Sequence, residues 1–189
     1  MILKIPLVFF FLGQLFHLGA TQCNVVRSIP VRLINQAAVN PKVLTEAQRE
    51  AAWVLKSLCV EVQWAPVPST KALEMHITVR PLGAGIDKRA LGVTILDAER
   101  GNRGAVFFSR VLAIKEMFGP LIELARLLGC VLAHEIGHLL LRARAHSPRG
   151  IMVANFGETE VLKAAQRRLL FTPFDYEIFS RSQMARASR

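Results

Sequence analysis

The chain has 189 residues and a mass of 21.0 kDa, and 52% of its residues are hydrophobic while 20% are charged. This composition excludes an intrinsically disordered polypeptide and fits one ordinary domain. A formal net charge of +10 favours anionic surroundings but says nothing about chemistry. Three cysteines are too few for a disulfide-rich scaffold.

The N-terminus has the pattern of a secretory signal. Lys4 is the only charged side chain in the first twenty residues, and an apolar run over 5–12 leads to small residues. The run is shorter than the roughly twenty residues of a membrane-spanning helix. We therefore expect 1–20 to be a signal peptide and 21–189 to form a single exported domain, secreted or periplasmic. A retained signal would instead anchor the chain to a membrane.

Export would permit a disulfide bond, since secreted proteins fold in an oxidising environment. Cys23 and Cys59 are the two cysteines that could pair, because Cys130 lies in a very apolar stretch. Three free thiols are the alternative.

Hydrophobic periodicity predicts mainly strands in the first half of the exported chain and helices in the second half. In chain order, the predicted elements are a strand at 25–33, a helix at 44–58, strands at 60–64, 75–79, 91–96 and 105–109, and helices at 121–141, 158–170 and 173–184. This order predicts an α+β fold with a mixed β-sheet backed by helices.

The predicted helix at 121–141 is apolar nearly all round. It nevertheless contains five polar or ionisable side chains, which are Glu123, Arg126, His134, Glu135 and His138. We therefore expect a buried core helix and not a membrane span.

Within this helix, residues 134–138 read His-Glu-Ile-Gly-His, an H-E-x-x-H motif. Four helical residues turn the chain by about 400°, which leaves the two imidazoles about 40° apart and roughly 6 Å apart along the axis. Both can reach one zinc ion, with positions left for a third ligand and a water molecule. Glu135 could then act as general base on the zinc-bound water.

His146 is the leading candidate for the third ligand. On a continuing helix it would lie about 12 Å beyond His138, too far to share one ion, so the helix must end first. Pro148 also requires such an ending, because proline disfavours helix at the preceding residue. Since the segment contains no glycine, we expect a left-handed residue among 142–144.

A carboxylate is the alternative third ligand. Glu158 and Glu160 lie near the start of the next predicted helix, where acidic residues also suit the helix dipole without any metal. His76 is expected to be a solvent-side residue of its strand.

The run from His134 to Met152 resembles the elongated zinc motif and Met-turn of the metzincins. The matrixins are the nearest well-known branch, and small exported bacterial proteins of this type are the best match overall, over most of the exported chain. This resemblance implies that His134, His138 and His146 bind one Zn²⁺ and that Glu135 is the catalytic base. It also implies that Met152 lies beneath the metal, although an ordinary core position is the alternative.

Two of the departures from the family pattern lie in the zinc motif itself. Leu141 stands where the metzincin motif has glycine, and His146 follows His138 by eight residues where the family has six.

The resemblance also implies an edge strand above the metal that pairs with an extended substrate. We assign this strand to 105–109, with a central core strand as the alternative.

Together these features predict an exported zinc metalloendopeptidase, a hydrolase that acts on peptide or protein substrates with Glu135 as general base. The alternative is a zinc-binding protein of metzincin fold with little or no proteolytic activity. A basic protein bound to nucleic acid or the cell envelope is a third hypothesis, but no nucleic-acid motif accompanies the basic residues of 142–189. We expect a monomer with no specific nucleic-acid partner, and membrane association only if the signal is retained.

Overall fold

The computed structural model describes residues 23, 26–65, 72–81, 85–97, 102–142 and 146–187. The signal peptide predicted at 1–20 lies outside the described residues. The elements are β1 (Arg27–Asn35), α1 (Pro41–Leu55), β2 (Val60–Trp64), β3 (Leu73–Thr78), β4 (Gly92–Ile95), β5 (Arg103–Phe107), α2 (Phe108–Phe118), α3 (Leu124–Leu141), α4 (Glu158–Ala165) and α5 (Pro173–Ala187). Short 3₁₀ turns follow α1 at Lys56–Leu58 and α2 at Gly119–Leu121.

The five strands form one mixed sheet in the order β2-β1-β3-β5-β4. The first four of these are mutually parallel, and β4 runs antiparallel to β5. Helices α1 and α3 pack against each other and against the sheet. The predicted α+β fold with a helix-backed mixed sheet is therefore confirmed.

The position of β5 corrects one prediction. The strand assigned to 105–109 corresponds to β5, which lies inside the sheet between β3 and β4. The edge-strand assignment is therefore wrong, and the alternative of a central strand is confirmed. The physical reason is that the short strand β4 pairs antiparallel with the outer side of β5 and occupies the edge itself.

The core lies between the sheet and the helices. Strand residues Val31, Met75, Ile77 and Val106 are fully buried and belong to one cluster with the apolar faces of α1 and α3. Helix α3 is the one described helix long and apolar enough to cross a membrane, and 89% of that stretch is buried inside the protein. The sequence prediction of a buried core helix is therefore confirmed.

Helix α1 begins with a capped turn. The Asn40 side chain accepts a hydrogen bond from the backbone N–H of Lys42 at 2.9 Å, and Pro41 occupies the first helical position.

After the 3₁₀ turn, Cys59 adopts a left-handed conformation with φ 57°. Cys59 forms a disulfide bond with Cys23, while Cys130 is free and buried. Of the two alternatives for the cysteines, the disulfide is therefore confirmed.

The segment between β5 and α3 differs most from the sequence prediction. The chain enters α2 at Phe108. The sequence instead predicts a strand that continues to Ser109, with no helix directly after it. The following helix begins at Leu124 and not at 121, because Gly119 has φ 52° and Ile122 is extended. Short apolar runs of this kind suit either a strand or a helix, so periodicity alone does not decide between them.

The last two helices follow the prediction more closely. Helix α4 starts at Glu158 as predicted but ends at Ala165, since Arg167 is left-handed with φ 55°. Helix α5 starts at Pro173, where Asp175 accepts hydrogen bonds from Thr172 N–H and from the Thr172 hydroxyl, both at 2.7 Å. Thr172 and Asp175 thus cap the start of this helix.

Candidate metal centre

Three histidines converge at the C-terminal part of α3. His134 and His138 are buried on the helix, and His146, which lies beyond its end, is exposed. One ring nitrogen from each histidine lies within 4.8 Å of the others. Among the described residues, no other group of three or more histidine, cysteine or acidic side chains has this spacing. The three predicted ligands are thus brought together.

The spacing of the imidazoles suits a tetrahedral metal ion. The Nε2 atoms of His134 and His138 lie 3.1 Å apart. Two nitrogens bound tetrahedrally to one zinc at about 2.0–2.1 Å would be about 3.3–3.4 Å apart. The ring centre of His146 lies 4.9 Å from that of His138 and 5.5 Å from that of His134. Because imidazole is a ligand that zinc favours, the donor set fits this metal.

His134 is held in one orientation by the backbone. Its Nδ1 atom lies 2.8 Å from the carbonyl oxygen of Ile151 and donates its proton there, which leaves Nε2 unprotonated and directed towards His138. Burial, together with the neighbouring His138, lowers the pKa of His134 to about 3. Desolvation also lowers the pKa of His146. Both side chains are therefore neutral at neutral pH, the form that binds metals.

The chain leaves α3 through a left-handed residue, as predicted. Arg142 has φ 50° and ψ 34° and follows the last helical residue, Leu141. The glycine position of the metzincin motif is thus occupied by a buried leucine of the final helical turn, and the left-handed turn comes one residue later.

Met152 packs against the helix between the first two histidines. A Cβ atom on Gly137 would lie 2.7 Å from Met152 Sδ and 2.7 Å from the Phe171 ring, so only glycine allows this close approach. The carbonyl oxygen of Met152 accepts a hydrogen bond from Ser147 N–H at 2.8 Å, which closes the turn after His146. Met152 is therefore a buried core residue that also supports the histidine-bearing turn of α3.

The Glu135 carboxyl group is buried beside the histidines. Its side chain points towards β4, where the Thr94 hydroxyl lies 2.8 Å from Oε2. Burial raises the pKa of Glu135 to about 7, and the hydrogen bond from Thr94 opposes this rise. The carboxyl group can therefore exchange a proton near neutral pH.

The alternative ligands lie elsewhere. Glu158 is an exposed residue in the first turn of α4, and Glu160 accepts a hydrogen bond from Gly157 N–H at 3.3 Å at the same helix start. His76 lies on β3, with its Nδ1 atom 3.4 Å from Gln36 Oε1. None of the three belongs to the histidine group.

A cavity of about 660 Å³ opens at the three histidines. Its lining includes the whole of β4, residues of α3 and residues 153–156, which follow Met152. Within this lining, Phe156 packs edge-to-face against His134, with ring centres 5.8 Å apart. The sequence does not reveal the roles of Thr94, Ile151 and Phe156, because each contact joins residues that are far apart along the chain.

No protein-family model matches the chain, and no curated protein matches its sequence. Its fold is similar to the crystal structure of archaemetzincin from Methanopyrus kandleri, with a TM-score of 0.54 and 16% sequence identity, over 83% of this chain and 96% of that one. The GM1-bound form of the ECX AB5 holotoxin matches over 80% of this chain and 77% of that one at 18% identity, but its TM-score of 0.41 is too low to establish a shared fold. The likeness to archaemetzincin shows a common fold, a mostly parallel five-stranded sheet backed by helices.

Proposed function

We propose that the protein is a zinc-dependent metalloendopeptidase that binds one zinc ion through His134, His138 and His146. The observation that carries this proposal is the convergence of three imidazoles beside the buried carboxyl group of Glu135 in one open cavity. The fold shared with archaemetzincin supports it, because that protein's name refers to the metzincins, the family whose zinc motif the sequence resembles.

The residues of the site suit hydrolysis of a peptide bond. When bound, zinc supplies Lewis acidity towards water and towards the peptide carbonyl group. Glu135 accepts a proton from the attacking water and later delivers it to the leaving amine. A carboxyl group whose pKa is raised by burial is suited to both steps, because it can accept and release a proton near neutral pH.

The position of β4 supports a peptide or protein as substrate. This strand is the last of the sheet and lines the cavity along its length. An edge strand presents backbone N–H and C=O groups that an extended peptide can pair with. The substrate-binding role that the sequence analysis assigned to 105–109 therefore passes to β4 in this proposal.

The disulfide bond supports the proposed export of the protein. Cys23 and Cys59 are bonded, and disulfide bonds persist mainly in secreted, periplasmic or other oxidising environments. We propose a secreted or periplasmic protein with residues 1–20 as its signal, bound to a membrane only if that signal is retained. The N-terminal sequence of the exported protein would test this directly: a chain that begins near Thr21 supports cleavage.

The decisive test of the proposed activity is the variant Glu135→Ala, in which the general base is removed and the three histidines remain. We expect the wild-type protein to cleave unfolded protein substrates, and we expect the variant to bind zinc and to lose this activity. A wild-type protein that holds zinc and cleaves no substrate would favour the alternative, a zinc-binding protein without proteolytic activity.

A further inference from the structure

Two residues of β4 contact the carboxyl group of Glu135. Alternate residues of a strand point to the same face, so the side chain of Thr94 and the missing side chain of Gly92 share one face of β4. A Cβ atom on Gly92 would lie 2.5 Å from Glu135 Oε1 and 2.6 Å from the backbone oxygen of Ala105. Gly92 therefore leaves the space in which the carboxyl group lies.

Thr94 holds the other side of the same group. Its hydroxyl oxygen lies 2.8 Å from Glu135 Oε2 and 3.2 Å from the backbone oxygen of Glu135. A hydroxyl carries one proton, so it donates to one of these oxygens at a time, and the carboxyl oxygen is the nearer. Glu135 is only 4% exposed, and Thr94 is the hydrogen-bond partner that the described residues offer to its carboxyl group.

From this geometry we infer that Thr94 is a positioning residue for Glu135, and that the space at Gly92 and the hydroxyl of Thr94 together fix the direction of the carboxyl group. This inference rests on the proposed peptidase function. A general base works only within hydrogen-bond reach of the proton that it accepts, and small displacements are costly in rate. The long glutamate side chain has several rotamers, which a contact from β4 restricts to one.

The inference predicts that Thr94 affects the reaction rate and not the binding of zinc. Within the described residues, no hydrogen bond joins Thr94 to the three histidines. Loss of the Thr94 hydroxyl should therefore change the step in which Glu135 takes part and leave the zinc content unchanged. The backbone of β4, where an extended substrate would pair, also stays in place, so KM should change little.

The kinetic test compares Thr94→Val, which keeps the shape and removes the hydroxyl, with Thr94→Ser, which keeps the hydroxyl. We expect kcat to fall about ten- to a hundred-fold in the valine variant, as for loss of a hydrogen bond to a charged group, with KM within about two-fold of wild type. The serine variant should recover most of the activity. Thr78→Val is the matched control, because Thr78 donates to the backbone oxygen of Arg80 at 3.0 Å and its loss should leave kcat unchanged.

A second readout does not depend on activity. The ¹³C resonance of the Glu135 carboxyl group can be assigned in zinc-free protein by its absence in Glu135→Gln, and recorded in alkaline buffer where the group is ionised in every variant. We expect the resonance to move in Thr94→Val and to stay in place in Thr94→Ser and Thr78→Val. An unchanged resonance in Thr94→Val overturns the inference, whether or not the protein is a peptidase.

The two proposals can therefore fail separately. A shifted resonance together with a zinc-loaded wild-type protein that cleaves nothing would contradict the peptidase proposal and still support the placement of the carboxyl group by Thr94. A normal kcat in Thr94→Val, in a wild-type background that is active, would overturn the positioning role.

Discussion

The imidazole of His134 donates a hydrogen bond to the backbone oxygen of Ile151 at 2.8 Å, and this contact joins the core helix to the turn that carries His146. Ile151 in turn donates its N–H to the backbone oxygen of Leu170 at 2.8 Å. The orientation of one candidate ligand therefore depends on a loop that is fixed from the far side by the segment leading to α5. Substitutions in that segment should therefore change the zinc affinity of the metal centre.

Asp175 provides the first test of this dependence. It is 1% exposed, and its Oδ1 accepts a hydrogen bond from the hydroxyl of Ser147, the residue after His146, at 2.6 Å. Asp175→Ala would leave the partly buried donors of Ser147 and Thr172 without their acceptor and remove the cap at the start of α5. We expect a loss of about 2–4 kcal/mol of unfolding free energy and roughly ten-fold weaker zinc binding.

The measurement is urea unfolding together with a competitive zinc titration. Ser147→Ala is the control, since it removes only the hydrogen bond to the turn and keeps the cap of α5 intact. Ser147→Ala should weaken zinc binding and lower the unfolding free energy by less than Asp175→Ala does. Equal zinc affinity in wild type and in both variants would show that the hydrogen bond between Ser147 and Asp175 does not support His146.

Gly137 provides a second test. A methyl group at this position would meet Met152 Sδ and the Phe171 ring, each at 2.7 Å, in a fully packed region. We expect Gly137→Ala to lower the unfolding free energy by about 1–3 kcal/mol and to weaken zinc binding, because Met152 must move away from the histidine-bearing turn. Met152→Leu, which nearly conserves volume, should cost less than about 1.5 kcal/mol. A Gly137→Ala protein as stable as wild type would contradict this packing.

The pH dependence of stability follows from Glu135. Its pKa is raised from 4.5 to about 7 by burial, so the folded protein binds more protons than the unfolded chain between these values. The stability from the protonated group is therefore present below the unfolded pKa and is lost as pH rises through the folded pKa. Above that range, the zinc-free fold carries a buried carboxylate at a cost of about 3 kcal/mol.

Glu135→Gln removes this cost. In zinc-free protein, we expect the variant to be more stable than wild type by up to about 3 kcal/mol near pH 8, with the difference lost near pH 4. The lowered pKa of His134 acts in the opposite direction, but it is present in both proteins and cancels in the comparison. Thermal unfolding across this range would reveal the effect, and a difference that does not depend on pH would refute it.

The sequence predicts most of the candidate site because its key relationships are local. His134, Glu135 and His138 share one helix, and the need to end that helix before His146 follows from helix geometry. The left-handed residue after α3 is predicted for the same reason and is found at Arg142. These inferences use only the spacing within one short stretch of sequence, 134–146.

The remaining features depend on pairing between distant segments. The strand order puts β4, and not β5, at the edge of the sheet, and no periodicity within 105–109 could reveal that. Thr94 reaches Glu135 across 41 positions of sequence, and Ile151 reaches His134 across 17. Helix α2 is missed because its first residues continue the apolar run of β5.

The central claim is the three-histidine zinc site, and the most direct measurement is the metal content of the purified protein beside that of His146→Ala. His76→Ala is the matched control, because His76 lies on β3 outside the histidine group. We predict about one zinc per chain in wild type and in the control. In His146→Ala we predict well below one zinc per chain, because loss of even an outer-shell partner of a ligand weakens metal affinity about ten- to a hundred-fold. A full zinc content in His146→Ala, or no zinc in the wild-type protein, would contradict the site.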